Sequence, residues 1–218
     1  MREIYIDNSM SLRHLFFPQT LKLPDSKFNH HISINLYFLQ PTLHVDGLIE
    51  SGDILTHIWK TGIKKLIPKY FIPKTILILG LGGGSNTLLV RRLYPKAKIT
   101  AVEIDPFMVE ISRKYFGTGK IKNLEIIVDD ALDFAANLTP NNHYDLILVD
   151  CFEGKYIPHK LEDLNFMQQL KDHSRYTLIN RIHWYDHYLP TINFMRSLST
   201  RFVFVTARTV SNLIISLV

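Results

Sequence analysis

The chain has 218 residues, 46% of them hydrophobic and 21% charged, with 25 Lys+Arg against 20 Asp+Glu and one cysteine, Cys151. That length and balance suit one large globular domain, or one domain with a small appendage, and a lone cysteine excludes an internal disulfide framework. No run of 18 apolar residues and no charged-then-apolar leader occurs, so the expectation is a soluble cytoplasmic protein with no membrane partner.

The positive charge is uneven. Residues 1–74 carry 9 Lys+Arg against 6 Asp+Glu, and residues 171–218 carry 6 against 2, whereas residues 75–170 carry 10 against 12. No basic run interleaved with aromatics appears, so the surplus is solubilising charge and nucleic acid is not an expected partner.

In chain order, Glu3–Asp7 and Leu12–Phe17 alternate as strands joined through Asn8–Ser11 in a hairpin. His31–Leu39 is a further strand and Leu43–Val45 a shorter one. Residues 1–49 thus form a small β-rich segment, and residues 50–218 the main domain. Asn29-His30-His31 has no partner ligands at a metal spacing and is read as loop. Ser51-Gly52-Asp53 starts a helix that runs to about Leu66 before Pro68, with Ile54, Leu55, Ile58, Ile63 and Leu66 as its apolar stripe. His57 and Trp59 lie on it.

From Thr75 strands and helices alternate regularly, the mark of a doubly wound α/β sheet, mostly parallel. The strands fall near 75–79, 98–103, 124–128, 144–149 and 175–181. The helices fall near 85–94, 106–117, 130–138, 160–171 and 186–198. Arg201–Ala207 and Asn212–Leu217 are two apolar strands with so short a link that they form an antiparallel hairpin.

Thr75–Asp105 carries the strongest chemical signal. A buried strand stops at Gly80-Leu81-Gly82-Gly83-Gly84, where glycine lets the backbone turn sharply and a ligand approach. Ser85 or Asn86 would cap the helix that follows, leaving free N–H groups beside the turn. The next strand ends in Glu103, about 20 residues on, the spacing of a carboxylate that binds ribose hydroxyls. A dinucleotide fingerprint wants a third glycine where Ser85 stands, whereas Gly80, Gly82 and Gly84 fit a G-x-G-x-G turn.

Together with VEIDPFMVEISRKYF (Val102–Phe116), LEIIVDDALDF (Leu124–Phe134) and YDLILVDCFEG (Tyr144–Gly154), this turn resembles the spermidine synthase family within the class I S-adenosylmethionine-dependent methyltransferase fold. The blocks come in that family's order and at its spacing over Thr75–Asn180. The resemblance implies a Rossmann-like catalytic domain, a donor that is decarboxylated S-adenosylmethionine or S-adenosylmethionine itself, and no metal. It implies that Gly80, Gly82, Gly83 and Gly84 form the nucleotide turn, that Glu103 holds the ribose, that Ile104 packs on adenine, and that Asp130 meets the adenine amino group, with Asp129 beside it among the cofactor-binding residues. Asp130 also stands where a helix cap is expected, and the two roles are compatible.

Asp150 ends a strand, Glu153 follows three positions later, and the pair carries the expected catalysis. By resemblance Asp150 is the base and Glu153 the orienting carboxylate. An amine is protonated at neutral pH, and a carboxylate can bind the cation, accept its proton and aim its lone pair. The implied function is aminopropyl transfer to a small-molecule, polyamine-like amine, with small-molecule methyl transfer as the alternative. Nucleic-acid methylation and a silent nucleotide-binding scaffold follow.

Two features depart from the family pattern. Gly83 replaces an aspartate that meets the aminopropyl amine, and the Thr209–Ser211 link lacks a tyrosine-bearing loop. Phe152, Tyr156 and Ile157-Pro158-His159 are expected to form a different lid. His183 and His187, at i,i+4 spacing, lack a third metal ligand. Asp150 would raise the Cys151 thiol pKa, so Cys151 is read as pocket wall. Family members often form homodimers, so a homodimer is compatible with the resemblance.

Overall fold

The computed structural model describes residues 19–37, 40–154 and 156–218. The hairpin expected over Glu3–Phe17 lies outside them. The first four strands, β1 (Gln19–Lys22), β2 (Ser33–Tyr37), β3 (Gln40–Val45) and β4 (Leu48–Ser51), form an antiparallel sheet in sequential order. β1 and β4 were not expected, because each has only four residues and β4 carries Glu50-Ser51 where the pattern reads as a helix start. Alternation puts Ile34, Leu36, Leu43 and Val45 on one buried face, packed with Met108 and Ile111.

The main sheet follows helix α1 (Asp53–Leu66). Its strands are β5 (Thr75–Leu79), β6 (Lys98–Glu103), β7 (Leu124–Val128), β8 (Tyr144–Val149), β9 (Ser174–Ile182), β10 (Phe204–Arg208) and β11 (Asn212–Leu217). The strand order is β10-β11-β9-β8-β5-β6-β7. The β5–β6, β5–β8, β6–β7 and β8–β9 pairs are parallel. β11 runs antiparallel to β10, as the short terminal link requires, and antiparallel to β9 as well.

Successive side chains of the central strands face opposite layers. Ile76, Ile78, Leu146 and Leu148 pack with Ile58 and Trp59 of α1, Leu89 and Val90 of α2 (Ser85–Leu93), and Val109 of α3 (Pro106–Phe116). Leu77, Leu79, Ile147 and Val149 pack with Ala135 of α4 (Ala131–Ala136), Leu170 of α5 (Leu164–Asp172), and Phe194 and Leu198 of α6 (Tyr188–Ser199). With helices on both faces, the strands are apolar throughout rather than alternating.

Three boundaries differ from expectation. Residues 160–171 are not one helix: a 3₁₀ turn, His159–Glu162, is separated from α5 by Asp163. Asp163 Oδ1 accepts from the N–H groups of Asn165 and Phe166 at 2.7 and 3.1 Å, which starts a new helix there. A second 3₁₀ turn, Tyr185–His187, precedes α6, so His183 and His187 do not share a helix face. Finally, neither Ser85 nor Asn86 caps α2. The cap residue is Gly84 in the left-handed conformation, with no side-chain cap bond, because both candidate side chains are used elsewhere.

Candidate functional site

In a doubly wound sheet the connections leave in opposite directions at one point, and a crevice opens beyond the strand ends there. Here that point lies between β5 and β8. The ends of β5, β6, β7 and β8 deliver Gly80, Glu103, Asp129 and Asp150 to one cavity, which is also lined by Gly82, Ile104, Asp130, Cys151, Phe152 and Glu153. Gly80 is required by closeness: a Cβ on it would stand 2.3 Å from the carbonyl oxygen of Asp150, and its φ is +90°.

Gly83 and Gly84 shape the turn without lining the cavity. A Cβ on Gly83 would meet Ser51 Oγ at 2.4 Å, and one on Gly84 would meet Thr118 Cγ2 at 2.3 Å. Both glycines therefore face the protein. Ser51 is held there by Ser85: their hydroxyls are 2.9 Å apart, and the N–H of Gly52 donates to Ser85 Oγ at 2.8 Å. The serine read as a cap instead ties β4 to the glycine turn.

The turn faces Glu103. Oε2 of Glu103 accepts from the N–H groups of Leu81 and Gly82 at 2.9 and 3.0 Å, and Oε1 accepts from the N–H of Asp105 at 3.1 Å. Burial raises the Glu103 carboxyl pKa, while these three N–H donors act against the rise. The carboxylate thus organises the loop, and Oε1, which accepts one bond where Oε2 accepts two, has a lone pair left for a ligand hydroxyl.

Asp150 is clamped by three neutral donors. Asn180 Nδ2 donates to Oδ1 at 2.8 Å, while Trp59 Nε1 and Asn86 Nδ2 donate to Oδ2 at 2.8 and 3.1 Å. Asn212 in turn donates to Asn180 Oδ1 at 2.9 Å, which orients that amide. Burial pushes the Asp150 pKa up against the pull of the donors. A carboxylate with a raised pKa and no cationic partner is suited to taking a proton.

Asp130 is committed at both oxygens. Oδ1 caps α4 by accepting from the N–H of Leu132 at 2.9 Å, and Oδ2 accepts from Lys160 Nζ at 2.5 Å. Burial alone would raise its pKa, but the hydrogen bonds from Lys160 and Leu132 and the lysine charge bring it below the ordinary value. Asp129 lines the cavity beside it and accepts from the N–H of Asp130 at 2.9 Å. Glu153 sits in a tight turn paired both ways with Tyr156, at 2.8 and 3.1 Å. Burial, together with the charges of Glu103, Asp150 and Asp130, drives the Cys151 thiol pKa well above its usual value, which fits a wall rather than a nucleophile.

Residues 55–206 match the Spermine/spermidine synthase domain, more than half of the chain. The chain belongs to that family. Among its relatives, an eEF1A lysine and N-terminal methyltransferase homolog of Drosophila melanogaster is 29% identical over 150 residues, covering 68% of this chain and 21% of that protein. A polyamine aminopropyltransferase of Vibrio vulnificus is 37% identical over 100 residues, covering 45% of this chain and 33% of its own. This chain thus matches a fifth to a third of those proteins. The spermidine synthase from Thermotoga maritima superposes with a TM-score of 0.69 at 16% identity, over 93% of this chain and 71% of that one. Human methyltransferase-like protein 13, solved in complex with SAH, superposes at 0.59 and 24% identity, over 75% of this chain and 79% of that one. These superpositions support the class I methyltransferase-like fold.

In this spermine/spermidine synthase domain several cavity residues come from segments with no motif of their own. Phe28 and Asn29 reach the cavity because Asn29 Nδ2 and Ser26 Oγ donate to Oδ2 of Asp105, at 2.7 and 2.5 Å, pinning their loop to the cap of α3. The Ser26-x-x-Asn29 turn, closed by the N–H of Asn29 on Ser26 Oγ at 2.9 Å, was the available signal. Lys160 and Leu161 come from the 3₁₀ turn held by Arg181, whose guanidinium pairs with Glu162 at 2.6 Å and lies 4.5 Å from the Phe194 ring centroid. Glu50, from β4, also lines the cavity. Among the described residues no His/Cys/Asp/Glu group could hold a metal, and no helix is long and apolar enough to cross a membrane.

Proposed function

We propose that this domain binds an S-adenosylmethionine-type sulfonium nucleotide and transfers an alkyl group from it to an amine nitrogen. The observation that carries this reading is the charge of the cavity. Glu50, Glu103, Asp129, Asp130, Asp150 and Glu153 line it, and among the described residues that line it Lys160 is the one cation. Both reactants of such a transfer are cations, a sulfonium and an ammonium, and a cleft of one sign concentrates its counter-ions.

The chemistry needs little beyond placement. The amine lone pair attacks the carbon next to sulfur, the C–S bond breaks, and its electron pair returns to sulfur as a neutral thioether. The surplus amine proton passes to Asp150, and Glu153 holds the acceptor in line. The sulfonium is its own leaving group, so the protein orients the pair and excludes water. Glu103 with the Gly80–Gly82 turn binds the ribose, Ile104 packs on the base, and Asp129 or Asp130 meets the adenine amino group.

Aminopropyl transfer from the decarboxylated donor is the first reading, because so many carboxylates disfavour a donor bearing one of its own. Methyl transfer is the second, supported by the larger share of this chain that aligns with the Drosophila methyltransferase homolog. The deciding experiment incubates the protein with each donor and a panel of diamines and lysine peptides, with products read by mass spectrometry. A mass gain of one aminopropyl group identifies the first reaction and of one methyl group the second. Neither product, with no donor bound in calorimetry, would sink both.

A further inference from the structure

Beyond its share of the cavity's charge, Glu50 has no individual role in the chemistry just described. The third residue of β4, it reaches the cavity beside the glycine turn, with Oε2 3.6 Å from where a Cβ on Gly82 would stand. Among the described residues its carboxyl has neither a hydrogen bond nor an ion pair, unlike Glu103, Asp130 and Asp150 around the same cavity. The groups facing it are Asp150 from the end of β8, Glu103 from the end of β6 and Asp46 from the β3–β4 turn. Farther round the cavity stand Asp129, Asp130 and Glu153, and Lys160 is already paired with Asp130.

Glu50 is half-buried, and what sets it apart is position: it faces the cavity among like charges with no cation from the described residues beside it. Hydrogen-bond donors from the protein serve Glu103, Asp130 and Asp150, so a positive charge on the ligand is what Glu50 lacks. We propose that Glu50 receives the positive charge of the donor beside the glycine turn, and that it selects donors whose charge has no carboxylate next to it. The proposal rests on the transferase reading above.

The electrostatics give it a measurable signature. Burial first, then Asp150, Glu103 and Asp46, push the Glu50 carboxyl from its ordinary 4.5 up to about 8. In the free protein at neutral pH it therefore carries a proton. A cation within about 4–6 Å favours the ionised form, so a cationic donor expels that proton on binding. Affinity for such a donor rises with pH until the free carboxyl is ionised, then levels off. Methylthioadenosine has no sulfonium and no amine on its side chain, so it leaves the Glu50 proton in place. S-adenosylmethionine brings its own carboxylate, which the ionised cluster repels.

The test is calorimetric titration of the full chain with decarboxylated S-adenosylmethionine, S-adenosylmethionine and methylthioadenosine. Buffers of different ionisation enthalpy count the protons, and the series is repeated across the neutral to alkaline range. Glu50→Gln is the matched variant: it is isosteric with the protonated carboxyl, so it folds. For the wild type we expect release of up to about one proton with the decarboxylated donor and near none with methylthioadenosine. The affinity gain approaches about tenfold per pH unit below the plateau. Glu50→Gln should release no proton and lose about tenfold or more of its preference for the decarboxylated donor over methylthioadenosine at alkaline pH. Donor binding without proton release, or with unchanged selectivity in Glu50→Gln, overturns the role of Glu50 and leaves the transferase reading standing. If wild type binds none of the three nucleotides, the transferase reading itself fails and this proposal falls with it.

Discussion

The indole N–H of Trp59 donates to Oδ2 of Asp150 at 2.8 Å, joining a helix before the glycine turn to a strand end 91 residues later. Trp59 is fully buried, so its N–H must find an acceptor inside the protein. Asp150 supplies it. The residue assigned the proton transfer is thus also a packing partner of the core, and changes to it will be felt in stability as well as turnover.

Asp150→Asn makes the point testable. On sequence grounds the swap preserves shape and removes only base strength. In the structure both carboxylate oxygens accept, from Asn180 on one side and from Trp59 and Asn86 on the other. An amide at 150 must turn its NH₂ toward one of those donors, and Asn180 is held in place by Asn212. We expect a stability loss of about 1–3 kcal/mol from the orphaned donor, measured by urea unfolding. Turnover should fall by roughly 10²–10⁴ with donor affinity little changed. A variant with wild-type stability and turnover would remove Asp150 from both roles.

The order of the main sheet was legible because β5, β6, β7 and β8 are short apolar runs separated by helical patterns, and a buried parallel sheet leaves little other reading. Part of the cavity lining was legible for a related reason: Gly80, Glu103, Asp130 and Asp150 all lie at or just past strand ends, where chain order predicts position. The rest was carried by contacts between distant segments. Asn29 is placed by Asp105, 76 residues away, and Asn180 by its bonds to Asp150 and Asn212. Asn86 has the composition of a cap but reaches across to Asp150 instead. Glu50 sits on a four-residue strand too short to show a period, so nothing local marked it as cavity lining.

Lys160→Met should weaken the protein at neutral pH and spare it in acid. The Asp130 pKa lies below its ordinary value because Lys160 and the Leu132 N–H outweigh burial. A depressed carboxyl contributes stability that is present above its unfolded pKa and lost as pH falls through the folded one. The wild-type and variant unfolding curves should therefore differ at neutral pH and converge as the pH falls below the ordinary carboxylate range. Lys160 is about half exposed, its side chain at 52%, so the gap should be small, about 1 kcal/mol or less. A gap that persists undiminished into acid would show that the lysine acts by packing rather than charge.

Glu50 makes the opposite prediction. Its folded pKa of about 8 exceeds its ordinary 4.5. Its contribution is thus complete below the unfolded value and is lost as pH rises through the folded one. The Glu103 and Asp150 pKa values are also raised, chiefly by burial, and act in the same direction. Ligand-free wild type should lose stability progressively between about pH 4.5 and 8. Glu50→Gln should flatten much of that slope and be the more stable of the two at alkaline pH. Parallel slopes in thermal denaturation series would mean that Glu50 is ionised throughout.

Gly83 and Ser51 should behave as a coupled pair. A Cβ at position 83 would lie 2.4 Å from Ser51 Oγ and 2.6 Å from Ser51 Cβ, closer than real carbon contacts permit, with a Phe116 ring carbon at 3.3 Å. Ser51 cannot swing aside without breaking its contact with Ser85 in a fully buried corner. Gly83→Ala alone should therefore cost about 1–3 kcal/mol through overpacking. Ser51→Gly alone removes the hydroxyl contact and frees the backbone, for a loss of about 1–2 kcal/mol. In the double variant the new methyl occupies the space Ser51 vacated, so the two losses should fall short of adding by about 1 kcal/mol or more. Urea unfolding of the four proteins measures the coupling. Strict additivity would mean that the turn relaxes around residue 83, and that this position could take a side chain without help from β4.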